Sequence, residues 1–497
     1  MLFIGIDVGT SGVRTIAVDE AGSLVAQATT EHPLHVPQPG WTEQDPQDWW
    51  NGAVQSLRQV VAALGQRAGE IAAVGLTGQM HGSVFLDEDG KVIRPAILWN
   101  DQRTVEEAAL IEELIGRDRL IELTGNRALT GFTAPKIVWL RRHEPDNYAR
   151  IAQILLPKDY IRYRLTGAYA TDVADASGTL LFDVAHRRWS EEVCGALFIP
   201  EQWLPEACEG PEVTGTVTLL AAGLTGLPAG IPVVAGGGDQ AAGAVGVGLA
   251  APGAVSVSIG TSGVVFAATN SPLTEPEARL HSFCHAVPGQ WHLMGVMLSA
   301  GGSLRWVRDT LYTPETGYDE IGAEAASVPP GAEGLLFAPY LTGERSPHAD
   351  PFARGAYVGL GLHHRRPHMT RAAMEGIAWG LKDSLEIMAN LGIHAEELRI
   401  IGGGAKGAVW RQIMAAIFNK PLRRMAIEEG PAFGAAILGA VGAGAFPDVA
   451  TACAAMVRTA DAEQPDPALA ARYAELYPAF RALYPALKPL FGANQAQ

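Results

Sequence analysis

Asp239 closes the run Ile231-Pro232-Val233-Val234-Ala235-Gly236-Gly237-Gly238, an apolar β-branched stretch that ends in three glycines and one carboxylate. Such a strand end lets a ligand approach the backbone closely and sets an acid within reach of a hydroxyl, as a general base requires. The competing use of this aspartate is to cap a helix expected over residues 240–246. Two other polar clusters follow strand-like runs. Thr77-Gly78-Gln79-Met80-His81-Gly82 comes after residues 71–76, and Asn100-Asp101-Gln102-Arg103 comes after residues 96–99. Ligands in open α/β sheets sit at the carboxyl ends of strands. His81 is therefore either a ligand contact or a hydrogen-bonded loop histidine.

The five residues Gly9-Thr10-Ser11-Gly12-Val13 return letter for letter as Gly260-Thr261-Ser262-Gly263-Val264. Apolar runs lead into both, residues 3–8 (with Asp7 near the end) and residues 255–259, and β-branched residues lead out. A Gly-Thr-Ser-Gly turn between strands makes a tight hairpin, with the glycines expected to supply positive φ. Its N–H groups and hydroxyls would then form a cradle for phosphate oxygens. One such turn is only a hairpin. Two, one in each half, point to duplicated lobes that grip one polyphosphate. A third glycine group, Gly402-Gly403-Gly404 after residues 398–401, suits a nucleoside lying over backbone, although it is neither GxGxxG nor a Walker A loop.

The elements around these groups have their own signals. Turn residues 19–22 lead to a third strand near residues 24–28, a β-meander. Asp45 followed by Pro46 predicts a helix start, and Trp50, Val54, Leu57 and Val61 recur at helical spacing. Residues 131–140 introduce a helix on which Lys136 reads as a solvated lysine. Residues 298–306, with Gly301, pass from strand into helix, and residues 369–388 form a long amphipathic helix containing Glu375. Residues 339–347 read as a loop, either a domain contact or part of a lid. Tyr473, Leu476, Tyr477, Phe480 and Leu483 belong on a terminal helix that packs back onto a lobe.

The chain has 497 residues, which favours two or three domains. A net charge of −16 with no basic run argues against nucleic acid or an anionic membrane as partner. Four cysteines without CxxC spacing give no disulfide framework, and the N-terminus has no signal-peptide pattern. No residue between Asp239 and Glu275 is charged, but Gly, Pro, Ser and Thr interrupt that stretch, so buried strands fit better than a membrane span. A cytoplasmic enzyme or switch is expected.

From Phe3 to about Gly444 the chain resembles the FGGY carbohydrate kinases of the actin/Hsp70/sugar-kinase fold. Gly131-x-Thr133-x-x-Lys136-Ile137-x-Trp139-Leu140 fits the first family signature. Gly355-Ala356-Tyr357-Val358-Gly359, with His368-Met369 and Ala372-Ala373-Met374-Glu375, fits the second. Residues 78–82, 99–101, 156–160 and 281–285 look most like the branch that acts on D-xylulose. Gln240 departs from the Asn found there.

The resemblance implies an α/β fold of two actin-like (ribonuclease H-like) lobes with a cleft between them. Residues 1–247 would carry the sugar site and base, and residues 248–497 would bind nucleotide. It implies ATP as phosphoryl donor, Mg²⁺ held by Asp7 through water, and D-xylulose as acceptor. Asp239 is then the base, with Asp7 beside it. Gln79, Met80, His81 and Gln240 line the sugar. Thr10, Ser11, Gly12 and Thr261 contact the triphosphate, and Gly301, Gly403 and Gly404 contact the nucleotide. It allows a homodimer.

Three rivals remain. Other kinases of the family act on glycerol, gluconate or ribulose, although Met80-His81 in place of an Arg-Glu pair argues against glycerol. An ATP-driven actin/Hsp70-like switch could use the same hairpins, and a periplasmic sugar-binding protein would need the missing signal peptide.

Overall fold

Two seven-stranded mixed sheets organise the chain in a computed structural model that describes residues 1–313, 315–426 and 429–491. In the first, Leu2–Val8 (β1), Gly12–Asp19 (β2) and Leu24–Glu31 (β3) form an antiparallel meander. β1 also pairs in parallel with Ile71–Gly78 (β4). Val213–Thr216 (β5) and Pro232–Val234 (β6) extend the sheet beyond β4, and Gly237–Gly238 (β7) pairs with the end of β4. The second sheet repeats the plan. Val255–Ile259 (β8), Gly263–Thr269 (β9) and Trp291–Met297 (β11) are an antiparallel meander edged by His281–Cys284 (β10). On the other side β8 runs parallel to Leu398–Ile401 (β12), followed by Leu422–Met425 (β13) and an antiparallel Thr459–Glu463 (β14).

Local signals explain much of this. Asp45 accepts the Gln47 N–H and Pro46 is the first residue of the Pro46–Leu64 helix. That helix buries Trp49, Trp50, Ala53, Leu57, Val60 and Leu64, while Val54 and Val61 lie at the edge of the face. The uncharged stretch after Asp239 becomes one short helix and strands β8 and β9. Among the described residues no helix is long and apolar enough to cross a membrane.

The two identical turns are hairpins, closed by Gly9 N–H to Gly12 O at 3.0 Å and Gly260 N–H to Ser262 O at 2.9 Å. Their glycines serve a different purpose from the expected one. None of the four has positive φ. A Cβ on Gly12 would sit 2.7 Å from the Thr30 carbonyl oxygen, and one on Gly263 would sit 2.8 Å from Leu381 Cδ2. Close approach of neighbouring atoms, not backbone freedom, favours glycine at positions 12 and 263.

The helix Gly430–Gly442, although late in the chain, packs across the first sheet and against the helix Asp239–Gly246. Gly5 and Gly75 stand side by side in register on β1 and β4. A Cβ on Gly5 would overlap the Ala432 carbonyl oxygen, one on Gly75 that of Ala435, and one on Gly434 that of Ala242. Backbone therefore lies on backbone, and Phe433 and Ile437 are fully covered beside Phe3, Ala73 and Val234. Gly75→Ala is expected to cost about 1–3 kcal/mol by overpacking, measured as a lower denaturant midpoint. An unchanged midpoint would mean that the helix shifts freely.

Candidate active site

Cross-strand register brings the two key carboxylates to one edge. Asp7 on β1 lies opposite Thr77 on β4, and Thr77 lies opposite Gly237 on β7, two residues before Asp239. Asp239 is the first residue of its helix. Gly238 occupies the cap position and no side chain caps there, so Asp239 is not the helix cap, although its carboxylate accepts from Gln240 in the first turn. Burial raises Asp239 to about 6, against the backbone and side-chain hydrogen bonds of Gln240. Burial and then the charge of Asp239 raise Asp7 to about 7, opposed by Arg14. Arg14 is itself held by Glu429, next to the helix that packs on β1.

Asp7 Oδ1 is buried and has no hydrogen-bond partner among the described residues. An orphaned carboxylate oxygen fits a hard cation. Those residues contain no cluster of three or more His, Cys, Asp or Glu that could form a full metal cage. A divalent ion here would keep most of its shell from water and phosphate, the habit of Mg²⁺.

The first turn is braced from below. Thr10 Oγ1 donates to Gln79 Oε1 at 3.1 Å and accepts from Trp99 Nε1 at 3.1 Å. Gln79 Nε2 donates to Gln44 Oε1 at 2.9 Å, and Gln44 Nε2 donates to the Thr10 carbonyl at 2.7 Å. Gln79 is 2% exposed and is hydrogen-bonded at both ends of its amide, so its side chain is turned to the first hairpin turn. Ser11 is exposed and Gly12 half-buried at the same turn.

Met80 and His81 form a wall beside Asp239. A Cβ on Gly238 would lie 2.9 Å from Met80 Cγ, and one on Gly178 would lie 2.8 Å from both Met80 Cε and His81 Cε1. His81 has a φ of 68°, in the left-handed region that side chains avoid. Its Nδ1 lies 2.5 Å from the Gly178 carbonyl. Burial, then Lys136 and Arg345, lower His81 to about 3, so the ring is neutral. A carbonyl can only accept, so Nδ1 carries the proton and Nε2 is left as an acceptor. Phe132 meets the His81 ring edge-on at 5.0 Å and His281 of the second sheet at 5.7 Å.

The second group gathers at the end of β8. Thr261 is exposed, and its carbonyl accepts the Ala300 and Gly302 N–H groups at 3.0 and 2.9 Å. Gly301 donates to the Gly260 carbonyl at 2.9 Å, at the start of the helix Gly301–Leu311. A Cβ on Gly404 would overlap Ile259 Cγ2, the last residue of β8, while Gly403 faces open space. Thr261, Gly301 and Gly404 thus gather at one strand end, with Gly403 next to Gly404.

The FGGY family of carbohydrate kinases matches this chain twice, with its N-terminal domain over residues 2–246 and its C-terminal domain over residues 255–443. The chain belongs to the FGGY carbohydrate kinases. This kinase is 42% identical to the xylulose kinase of Escherichia coli K12, over 98% of its own length and all of that protein. Its fold superposes on the crystal structure of a xyloylose kinase from Brucella ovis with a TM-score of 0.93 at 39% identity, covering 99% and 100% of the two chains. The xylulose kinase of Rhodospirillum rubrum gives 0.93 at 34% identity with the same coverage. The shared architecture is the two-lobed, actin-like one.

Two site residues of the kinase escaped the reading of its sequence. Lys136 is not solvated but wholly buried, donating to the carbonyls of His81 and Gly131 at 2.8 Å each. Burial lowers it well below the ordinary lysine range. It clamps the backbone that holds His81 at positive φ. Arg345 comes from the loop after residue 339 and points at the same wall. An apolar helix start gave no sign of the first, and a polar loop gave no address for the second.

Proposed function

We propose that this kinase transfers the γ-phosphoryl group of ATP to the terminal hydroxyl of D-xylulose, giving D-xylulose 5-phosphate and ADP in the cytoplasm. The observation that carries the reading is the raised Asp239 carboxylate at a strand end, one strand away from the orphaned oxygen of Asp7. Full-length similarity to xylulose kinases supplies the sugar. Phosphoryl transfer asks a protein mainly for positioning and charge neutralisation. Asp239 takes the proton of the attacking hydroxyl as oxygen bonds to phosphorus and the bond to ADP breaks. Met80 and Gln240 pack along the sugar, and His81 Nε2 accepts from one of its hydroxyls.

Asp7 would hold Mg²⁺, which, when bound, neutralises phosphate charge. Thr10, Ser11 and Gly12 receive the transferring end of the triphosphate and Thr261 receives it from the second sheet, with Gly301, Gly403 and Gly404 under the nucleotide. On this reading residues 1–247 form the sugar lobe and residues 248–497 the nucleotide lobe, with the helix Gly430–Gly442 crossing to the first sheet. Closure of the lobes would exclude water and limit ATP hydrolysis.

The test is ADP release by purified protein with Mg²⁺ and ATP across D-xylulose, D-ribulose, gluconate and glycerol. D-xylulose is expected to give the highest kcat/KM. A higher value for another member of the set would keep the kinase and replace the substrate.

A further inference from the structure

The charge of Arg345 is met by Glu344, the residue before it, without direct contact between the two side chains. Among the described residues its guanidinium makes no hydrogen bond and no ion pair. Its backbone, by contrast, is tightly held. Glu344 Oε1 accepts the N–H groups of Leu298 at 2.9 Å and Arg345 at 2.7 Å, and Ser346 N–H reaches the Val296 carbonyl at 2.8 Å. Met297, between those anchors, pairs with Gly263 of the second phosphate turn. The loop is thus fixed to the second sheet, yet the side chain reaches loop residues of the first half of the chain. A methyl placed on Gly131 would lie 3.5 Å from Arg345 Nη2 and 2.8 Å from the Trp99 carbonyl oxygen.

The position along the pocket can be ordered. Gly238, the residue before Asp239, abuts Met80, Met80 and His81 share the space over Gly178, and Lys136 Nζ ties the His81 carbonyl to that of Gly131, beside which Arg345 stands. The guanidinium therefore stands on the side of Met80 and His81 away from Gly238 and the base. In keeping with that order, the charge of Arg345 is felt by His81 and His281. We propose that Arg345 is a specificity-determining residue that donates to the carbonyl and hydroxyl oxygens at the C1–C2 end of the ketose, the end not phosphorylated. Its planar fork can bridge two adjacent oxygens. The inference rests on the proposed substrate, and it makes the second half of the chain a direct reader of the sugar.

The experiment uses the full chain with Arg345→Gln, Arg345→Lys and Arg345→Met. For Gln and Met, KM for D-xylulose is expected to rise about 10- to 100-fold, the loss of a charge-assisted pair of hydrogen bonds. kcat and KM for ATP should hardly move, and Lys should recover part of the loss because a point charge cannot fork. A thermal melt beside each assay shows whether the variant is folded, and the Lys variant keeps the test open if the neutral ones are not. An unchanged sugar KM in a folded variant overturns the assignment, as does a fall in kcat with sugar KM intact, which would place Arg345 at the phosphoryl group. A wild-type enzyme that ignores D-xylulose overturns the substrate reading and this inference together.

Discussion

Asp239→Asn is expected to lower kcat by about 10²–10⁴-fold while D-xylulose and ATP still bind. Asparagine keeps the shape of the side chain and its place at the first position of the Asp239–Gly246 helix, but it cannot take a proton. The wild-type rate should fall as pH drops through about 6, where the buried carboxylate becomes protonated. That acid limb should vanish from the residual activity of the variant. The charge of Asp239 also raises Asp7 in turn, so the variant should let Asp7 ionise at a lower pH.

Stability moves in the opposite direction. A folded pKa above the ordinary value of 3.8 means that the fold disfavours the ionised form. The penalty is absent below about 3.8, grows with pH, and is complete above about 6. The Asn variant escapes it, so its melting temperature should exceed that of the wild type at pH 8, with the gap closing at pH 4. Loss of activity with this gain in stability is the mark of a strained functional group. A variant that keeps its kcat would remove Asp239 from the role of base.

How much of this was legible depended on the range of the interaction that decided each feature. Asp45, Pro46 and the apolar spacing behind them are local, and the helix Pro46–Leu64 follows them closely. The repeated pentapeptide is also local, and it gave the hairpins and the doubled sheet. The reason for its glycines was misread because Thr30 and Leu381, which crowd them, are distant in sequence. Lys136 failed for the same cause, since its acceptors are the carbonyls of residues 81 and 131 and only folding brings residue 81 near. Gln79 sat in a legible polar stretch, and its partners Thr10 and Gln44 turn its side chain to the first hairpin turn. Nothing in residues 430–442 announced that they would cover the first sheet. The three glycines that permit it lie at positions 5, 75 and 434, and no local pattern connects them.

The second large effect concerns charges that no step of the reaction touches. Lys158, Asp159, Arg162, Asp172 and Asp175 are all fully buried. Lys158 Nζ lies 2.6, 3.2 and 3.4 Å from Asp159, Asp172 and Asp175, and Arg162 lies 3.1 Å from Asp159. Burial pulls Lys158 downward, but its three carboxylates outweigh that and leave it raised. Burial raises Asp172, and raises Asp175 well above the usual carboxylate range. Two cations thus face three carboxyl groups, of which burial disfavours the Asp175 anion most.

Lys158→Met should cost about 3–5 kcal/mol, because it leaves ionisable acids buried without their shared cation. Asp175→Asn should cost far less, since an amide replaces the carboxyl whose anion burial disfavours most. The cluster also sits where function would feel it. Arg162 donates to the Val234 carbonyl at 2.8 Å, on the strand that leads to Asp239. Asp172 caps the helix Val173–Ser177, and the next residue, Gly178, orients His81. Any Lys158→Met protein that folds should therefore show a raised sugar KM with ATP binding intact. Denaturant midpoints of the two variants decide the matter: equal losses would mean that the Asp175 carboxyl matters to the cluster as much as its cation does.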